Sequence, residues 1–254
     1  IGRWHVVDPM SEKYYSVSPY VYCNSNPMRY IDPTGMYFDE SNEKRAQKIE
    51  KKIDNRISKL EKKVAKIEEK GGNVGDLNDR ISELRNSKSD ISDMRGNQET
   101  EFRYAKASSK ENQAGRGYPA TLPTGINDAK HNVVTMYTDG SIDNRIHESR
   151  HGGQIARGEY GFDKNNRATA GYGIGSEVSA YRAQYSYKGQ LNYIDASNQL
   201  NQIIGSQGLN PPISTVTNIQ TITPGFIKNI GEVALIKIHG KESYGLQFLY
   251  GHLK

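Results

Sequence analysis

The sequence predicts a mixed α+β fold, and three observations carry that reading. From Ser41 to Arg95 apolar residues recur at steps of three and four, the period of an amphipathic helix. His131 to Tyr137 is rich in β-branched residues, as a strand is, and leads through Asp139-Gly140 into a second helical pattern. Val233 to Tyr250 has strand composition interrupted at Gly240 to Ser243, the pattern of a β-hairpin.

Taken in order, Ile1 to Met36 carries turn signals at short intervals (Asp8-Pro9, Asn26-Pro27, Asp32-Pro33-Thr34-Gly35), which suit short β-hairpins. Ile49, Ile53, Ile57, Leu60, Val64 and Ile67 then lie on one helix face. Gly71-Gly72 and Gly75 break that helix, and Leu77, Ile81, Leu84, Ile91 and Met94 continue the stripe, so residues 37–96 are expected as an antiparallel helical hairpin acting as a spacer or packing element. Residues 97–123, with Gly115, Gly117, Pro119 and Pro123, are expected as a linker and the main domain boundary, and 124–254 as the principal domain. Within it Ser141 caps one helix, a glycine-rich connection follows, and Ser176 caps a second helix from about Glu177 to Tyr187. Asp195 to Ile204 reads as a third helix, and Leu209 to Pro224 as a loop.

Composition narrows the function classes. The 254 residues are 35% hydrophobic, so part of the chain is expected outside a compact core. Basic residues number 34 against 29 acidic ones, interleaved, so no nucleic-acid partner is expected despite the net charge of +5. Cys23 is the only cysteine, which rules out an intrachain disulfide and a thiolate zinc cluster; a metal would need His and carboxylate ligands. No apolar run is long enough for a stable membrane span.

Chemistry concentrates in His147-Glu148-Ser149-Arg150-His151. Two His residues four apart on a helix share a face, so both imidazoles can reach one metal ion. Glu148 is turned about 100° from His147 and can reach a water without binding the metal. Glu177 can supply a third ligand from the start of the next helix, with Glu159 or Asp163 as alternatives. Gly152-Gly153 costs the helix about 1 kcal/mol per residue relative to Ala, which points to close approach by another backbone. The plain alternatives are exposed helix histidines, and a Glu177 placed in a first turn by the helix dipole.

Strand, HExxH helix, glycine-rich connection and a helix bearing Glu-x-x-Ala-Tyr, from Thr124 to about Tyr187, resemble the zincin metallopeptidases of the HExxH-plus-Glu branch. The resemblance implies a zincin-like domain that holds Zn2+ through His147, His151 and Glu177. It also implies Glu148 as general base and hydrolysis of peptide bonds in a protein substrate. Zincins often add a Tyr or His that stabilises the oxyanion; Tyr181 is the first candidate, with Tyr172 and His239 behind it.

Residues 1–36 resemble the end of an Rhs repeat-associated core, through Gly2-Arg3-Trp4, Asp8-Pro9, Glu12-Lys13-Tyr14, Ser18-Pro19-Tyr20-Val21-Tyr22, Asn26-Pro27 and Asp32-Pro33-Thr34-Gly35-Met36. This likeness implies the β-rich tail of a toxin-delivering shell, with all that follows as a variable C-terminal toxin exported through secretion machinery and acting in a competing bacterium. It also implies a cognate immunity protein and self-cleavage near Met36-Tyr37 through Asp8 and Asp32, although Ser11 stands where some self-cleaving members have Gly. Other readings of the toxin region are a metal-dependent nuclease that uses His147, Asn144 and His151, a peptidoglycan amide hydrolase using the same zinc chemistry, and a non-catalytic binding module in which the helical hairpin is the active part.

Overall fold

The computed structural model describes residues 40–112, 118–127, 131–193 and 214–228, and the chain divides into two units, 1–36 and 37–254. The fold is α+β. Helix α1 (Glu40–Glu68) turns back through Gly71 into α2 (Gly75–Gly96). Their ion pairs run in opposite directions along the two helices, Glu43 and Glu50 with Arg95, Asp54 with Lys88 and Glu61 with Arg85, so the hairpin is antiparallel. The stripe read from the sequence is its seam: Ile49, Ile53, Leu84 and Ile91 are fully buried.

A three-stranded sheet follows, β1 (Thr100–Lys106), β2 (Ala120–Ile126) and β3 (Asn132–Thr138), in the order β1-β3-β2. β3 is central, parallel to β1 and antiparallel to β2, and Val133 to Thr138 are buried, as a strand covered on both faces requires. β2 is an edge strand; it carries Pro123, whose missing N–H an edge tolerates, and its register shifts between Pro123 and Gly125.

Helix α3 (Ile142–Ala156) packs on this sheet, and the Ser141 hydroxyl accepts from the Asn144 N–H at its start, as the sequence predicts. Helix α4 (Ile174–Lys188) begins three residues earlier than the sequence suggests. Its N-cap is Gly173, without a side-chain cap, and Ser176 lies inside the first turn. Gly189 ends it in the left-handed conformation. β4 (Leu191–Tyr193) pairs antiparallel with β5 (Ser214–Val216), followed by a 3-10 turn at Ile219–Thr221 and a helical turn over 224–228. These pack with Val178 and Tyr185 as a second apolar cluster. The expected helix at 195–204, the hairpin at 233–250 and the hairpins of 1–36 lie outside the described residues.

Two expectations need correction. The stretch 97–123 is no simple linker, because it contains β1 and the start of β2. Phe102 and Tyr104 are buried and Arg103 between them is exposed, a two-residue alternation that the nearby glycines and prolines obscure. Of the two roles expected of the hairpin it takes packing, not spacing, and the domain boundary expected after it is absent from the 37–254 unit. The hairpin's apolar seam continues into Phe102, Tyr104, Val134, Met136, Ile146 and Ala183, so α1 and α2 share one core with the sheet, α3 and α4.

Helices α2 and α3 meet closely at the double glycine of α3. A Cβ on Gly153 would lie 2.8 Å from the Asp90 Cα of α2, and one on Gly152 would overlap the Met94 sulfur. Asp90, 2% exposed, is then fixed by two arginines: Arg150 donates to it at 2.6 Å and Arg157 at 2.8 Å. Arg150 also reaches Glu83 and Ser179, which joins α2, α3 and α4. Removing one partner of a buried ion pair leaves the other uncompensated. Asp90→Ala is therefore expected to lower unfolding free energy by about 3 kcal/mol, read from urea unfolding; an unchanged midpoint would count against this clamp.

Candidate metal centre

Asp143, His147 and His151 follow at intervals of four along α3, and Glu177 enters from the first turn of α4. Because α3 is held against the sheet by Ile146 and against α2 by its glycines, its histidine face is turned towards α4. His147 Nε2 lies 3.6 Å from Glu177 Oε2, and His151 Nε2 lies 3.4 Å from Glu177 Oε1. The three ligand atoms fall within 4.8 Å of one another, and all three residues are buried. Zinc bonds of roughly 2.0–2.1 Å at tetrahedral angles put ligand atoms roughly 3.3–3.4 Å apart. The two imidazole–carboxylate separations, one to each oxygen of Glu177, lie near that spacing, so the three residues could hold a metal ion of that size.

Charge supports the same conclusion. Burial alone would raise the Glu177 carboxyl, but the imidazoles of His151 and His147 outweigh it and hold the group well below the ordinary carboxylate range. His151 is shifted upward: burial opposes its charge, and Glu177, Glu148 and Gln154 together overcome that. Both shifts mark a buried carboxylate facing two imidazoles, a donor arrangement that suits a cation.

Hydrogen bonds outside the cluster fix its geometry. Gln184 donates from its amide nitrogen to Asp143 at 3.2 Å, which leaves its oxygen to accept from His147 Nδ1, also at 3.2 Å. That choice places the His147 proton on Nδ1 and the lone pair on Nε2, facing Glu177. Tyr172 donates to Glu177 Oε1 at 2.5 Å, a short charge-assisted bond. Such supports typically carry 10–100-fold in metal affinity, so Gln184→Ala is expected to weaken binding of a metal ion here by about that factor in competition with a chromophoric chelator. An unaltered affinity would remove Gln184 from the site.

Glu148, only 3% exposed, stands beside the cluster and belongs to another set of contacts. Thr121 of β2 donates its hydroxyl to Glu148 Oε2 at 2.9 Å. Burial is the main force on this carboxyl and pushes it above its ordinary range; Glu177 adds to the shift, while His147, His151 and the Thr121 bond oppose it.

The structure thus brings together His147, Glu148, His151 and Glu177, the first alternative for the third ligand that the sequence offers. Glu159 and Asp163 instead pair with Arg157 and Arg167. Tyr181 lies edge-on to His147, ring centroids 4.6 Å apart, and Tyr172 lies 6.0 Å from His151. Tyr160, unremarked in the sequence, packs on Tyr172, and burial with the charges of Glu177 and Glu148 raises its hydroxyl well above the ordinary range. Asp8, Asp32 and His239 lie outside the described residues. Sequence reading passed over Asp143, Gln184 and Thr121. Face arithmetic reaches the first two, since Asp143 is one turn before His147 and Gln184 is two turns after Glu177. Thr121 lies on a strand across the fold and no local signal reaches it.

Comparison with known protein families, curated proteins and solved structures finds no match to this chain.

Proposed function

We propose that the 37–254 unit is a zinc metallopeptidase of zincin type. The observation that carries this reading is the division of labour at α3. His147, His151 and Glu177 converge on one point, while Glu148, between the two histidines in sequence, is bonded to Thr121 and stays free of that convergence. Three protein ligands leave a coordination position open, and zinc there would supply Lewis acidity to a water and to a substrate carbonyl.

Glu148 is the group that accepts the proton of the attacking water and returns it to the leaving amine. Its raised affinity for a proton brings it nearer to the neutral range in which a general base works well. Tyr181, edge-on to His147, supplies the hydroxyl for the developing oxyanion, since that of Tyr172 already donates to Glu177. An extended peptide suits the site. Among the described residues β2 pairs on one side only, and Thr121 connects that edge strand to Glu148. On the Rhs-like character of residues 1–36, the peptidase is the delivered part of an exported toxin, acts on a protein of the target cell, and is restrained by an immunity protein in the cell that makes it.

The test is incubation of the purified chain with an unfolded protein. Fragments are expected to appear, to cease after chelation and to return with added zinc. Cleavage that persists without metal, or nicking of DNA with no peptide cleavage, overturns the reading.

A further inference from the structure

We propose that the outward face of α1, with the ends of α3 and α4, forms a docking groove for an acidic polypeptide segment of a partner protein. The charges of α1 are sorted by face. Its acidic side chains at Glu43, Glu50, Asp54 and Glu61 are taken up by Arg95, Lys88 and Arg85 of α2 at 2.7–3.0 Å. Lys52, Lys59 and Lys62 are exposed and have no ion-pair partner among the described residues. Their spacing places them along one strip of the helix, about 15 Å long.

A groove of about 720 Å³ separates this strip from Asp143, Tyr187 and Lys188. Arg56 reaches across it, donating to the Lys188 carbonyl at 3.2 Å, while its Nε is buried without an acceptor. The lining therefore holds five cations and one carboxylate, and that carboxylate already faces Lys188 at 3.6 Å. Like charges crowded around a concave surface concentrate positive potential, and an anionic chain lying in the groove relieves their repulsion.

The shape and lining choose among anions. Tyr187 is the only aromatic residue of the groove, so the row of stacking surfaces that single-stranded bases use is absent from the lining. Asn55 and Ser58 complete its α1 side, and the lining offers no aliphatic residue to enter a bilayer. A cleft of this volume admits side chains from a peptide and is too small for a duplex. Carboxylates one turn apart on a helix are separated by about 6 Å, a spacing the i, i+3 and i, i+4 lysines and arginine of α1 repeat.

The experiment measures fluorescence anisotropy of a labelled glutamate-rich peptide titrated with the full chain, beside single- and double-stranded oligonucleotides of equal charge. Lys52→Glu/Lys59→Glu/Lys62→Glu is compared with Lys106→Glu/Lys110→Glu/Lys164→Glu, which makes the same change in net charge at other exposed positions. Peptide affinity is expected to fall at least about tenfold in the groove variant and less than about twofold in the control, with both melting as the unaltered chain does. If charge reversal lowers the melting temperature, Lys→Gln at the same three positions is expected to give the same order of affinities. No peptide binding by the unaltered chain, equal weakening in both triples, or oligonucleotide binding tighter than peptide binding and lost in the groove variant would each overturn the proposal. Catalytic activity plays no part in this readout, so its outcome is separate from that of the peptidase test.

Discussion

Glu148→Gln is expected to leave zinc and fold in place and to lower peptide hydrolysis by about 10²–10⁴-fold, the usual contribution of a positioned general base. Gln has the size of Glu and still offers an oxygen to the Thr121 hydroxyl, so the contact with β2 survives. What disappears is the ability to take a proton from water and return it to the amine. Glu148 is not among the three residues whose ligand atoms converge, so those ligands remain. The measurement is steady-state cleavage of a peptide beside metal analysis of the same preparation. A variant that keeps zinc and cleaves within about threefold of the parent would assign the base elsewhere.

A chain beginning at residue 97 is expected neither to melt cooperatively nor to hold zinc, although it retains every ligand. Without α1 and α2 the face of α3 at Gly152 and Gly153 loses its partner, Arg150 loses Asp90 and Glu83, and Phe102, Met136 and Ile146 lose the apolar seam of the hairpin. Each large buried apolar side chain stabilises by about 1.5–3 kcal/mol, and a whole domain by only about 5–15 kcal/mol. Loss of Ile49, Ile53, Leu84 and Ile91 from the common core is therefore enough to exhaust it. Circular dichroism on heating decides the matter. A sharp transition near that of the full chain, with zinc retained, would make the hairpin an independent unit after all.

Legibility in the sequence followed the range of each signal. The helices α1, α2 and α3 and the strand β3 were readable because their periodicity or β-branched content is strong and local. The ligand helix declared itself through two imidazoles one turn apart, and the double glycine told that a backbone must come close. It could not tell which one: the neighbour, Asp90 of α2, lies some sixty residues earlier in the chain and has no local link to Gly153. β1 was lost because alternation over only seven residues is easily masked by flanking glycine and proline. The start of α4 was misplaced because Ser176 has the chemistry of a cap, whereas Gly173 occupies that position without any side-chain bond. Glu177 was found by its place at a helix start. The relay from Asp143 through Gln184 to His147 requires knowing that α3 and α4 lie side by side, which is tertiary information.

The central claim, that α3 and α4 together hold one catalytic zinc, is tested most directly by metal analysis after exhaustive dialysis of the full chain and of Glu177→Ala. About one zinc per chain is expected for the unaltered protein, and a large loss is expected for the variant with its fold preserved, since two imidazoles alone hold zinc weakly. Negligible zinc in the unaltered protein, or full retention in Glu177→Ala, would contradict it.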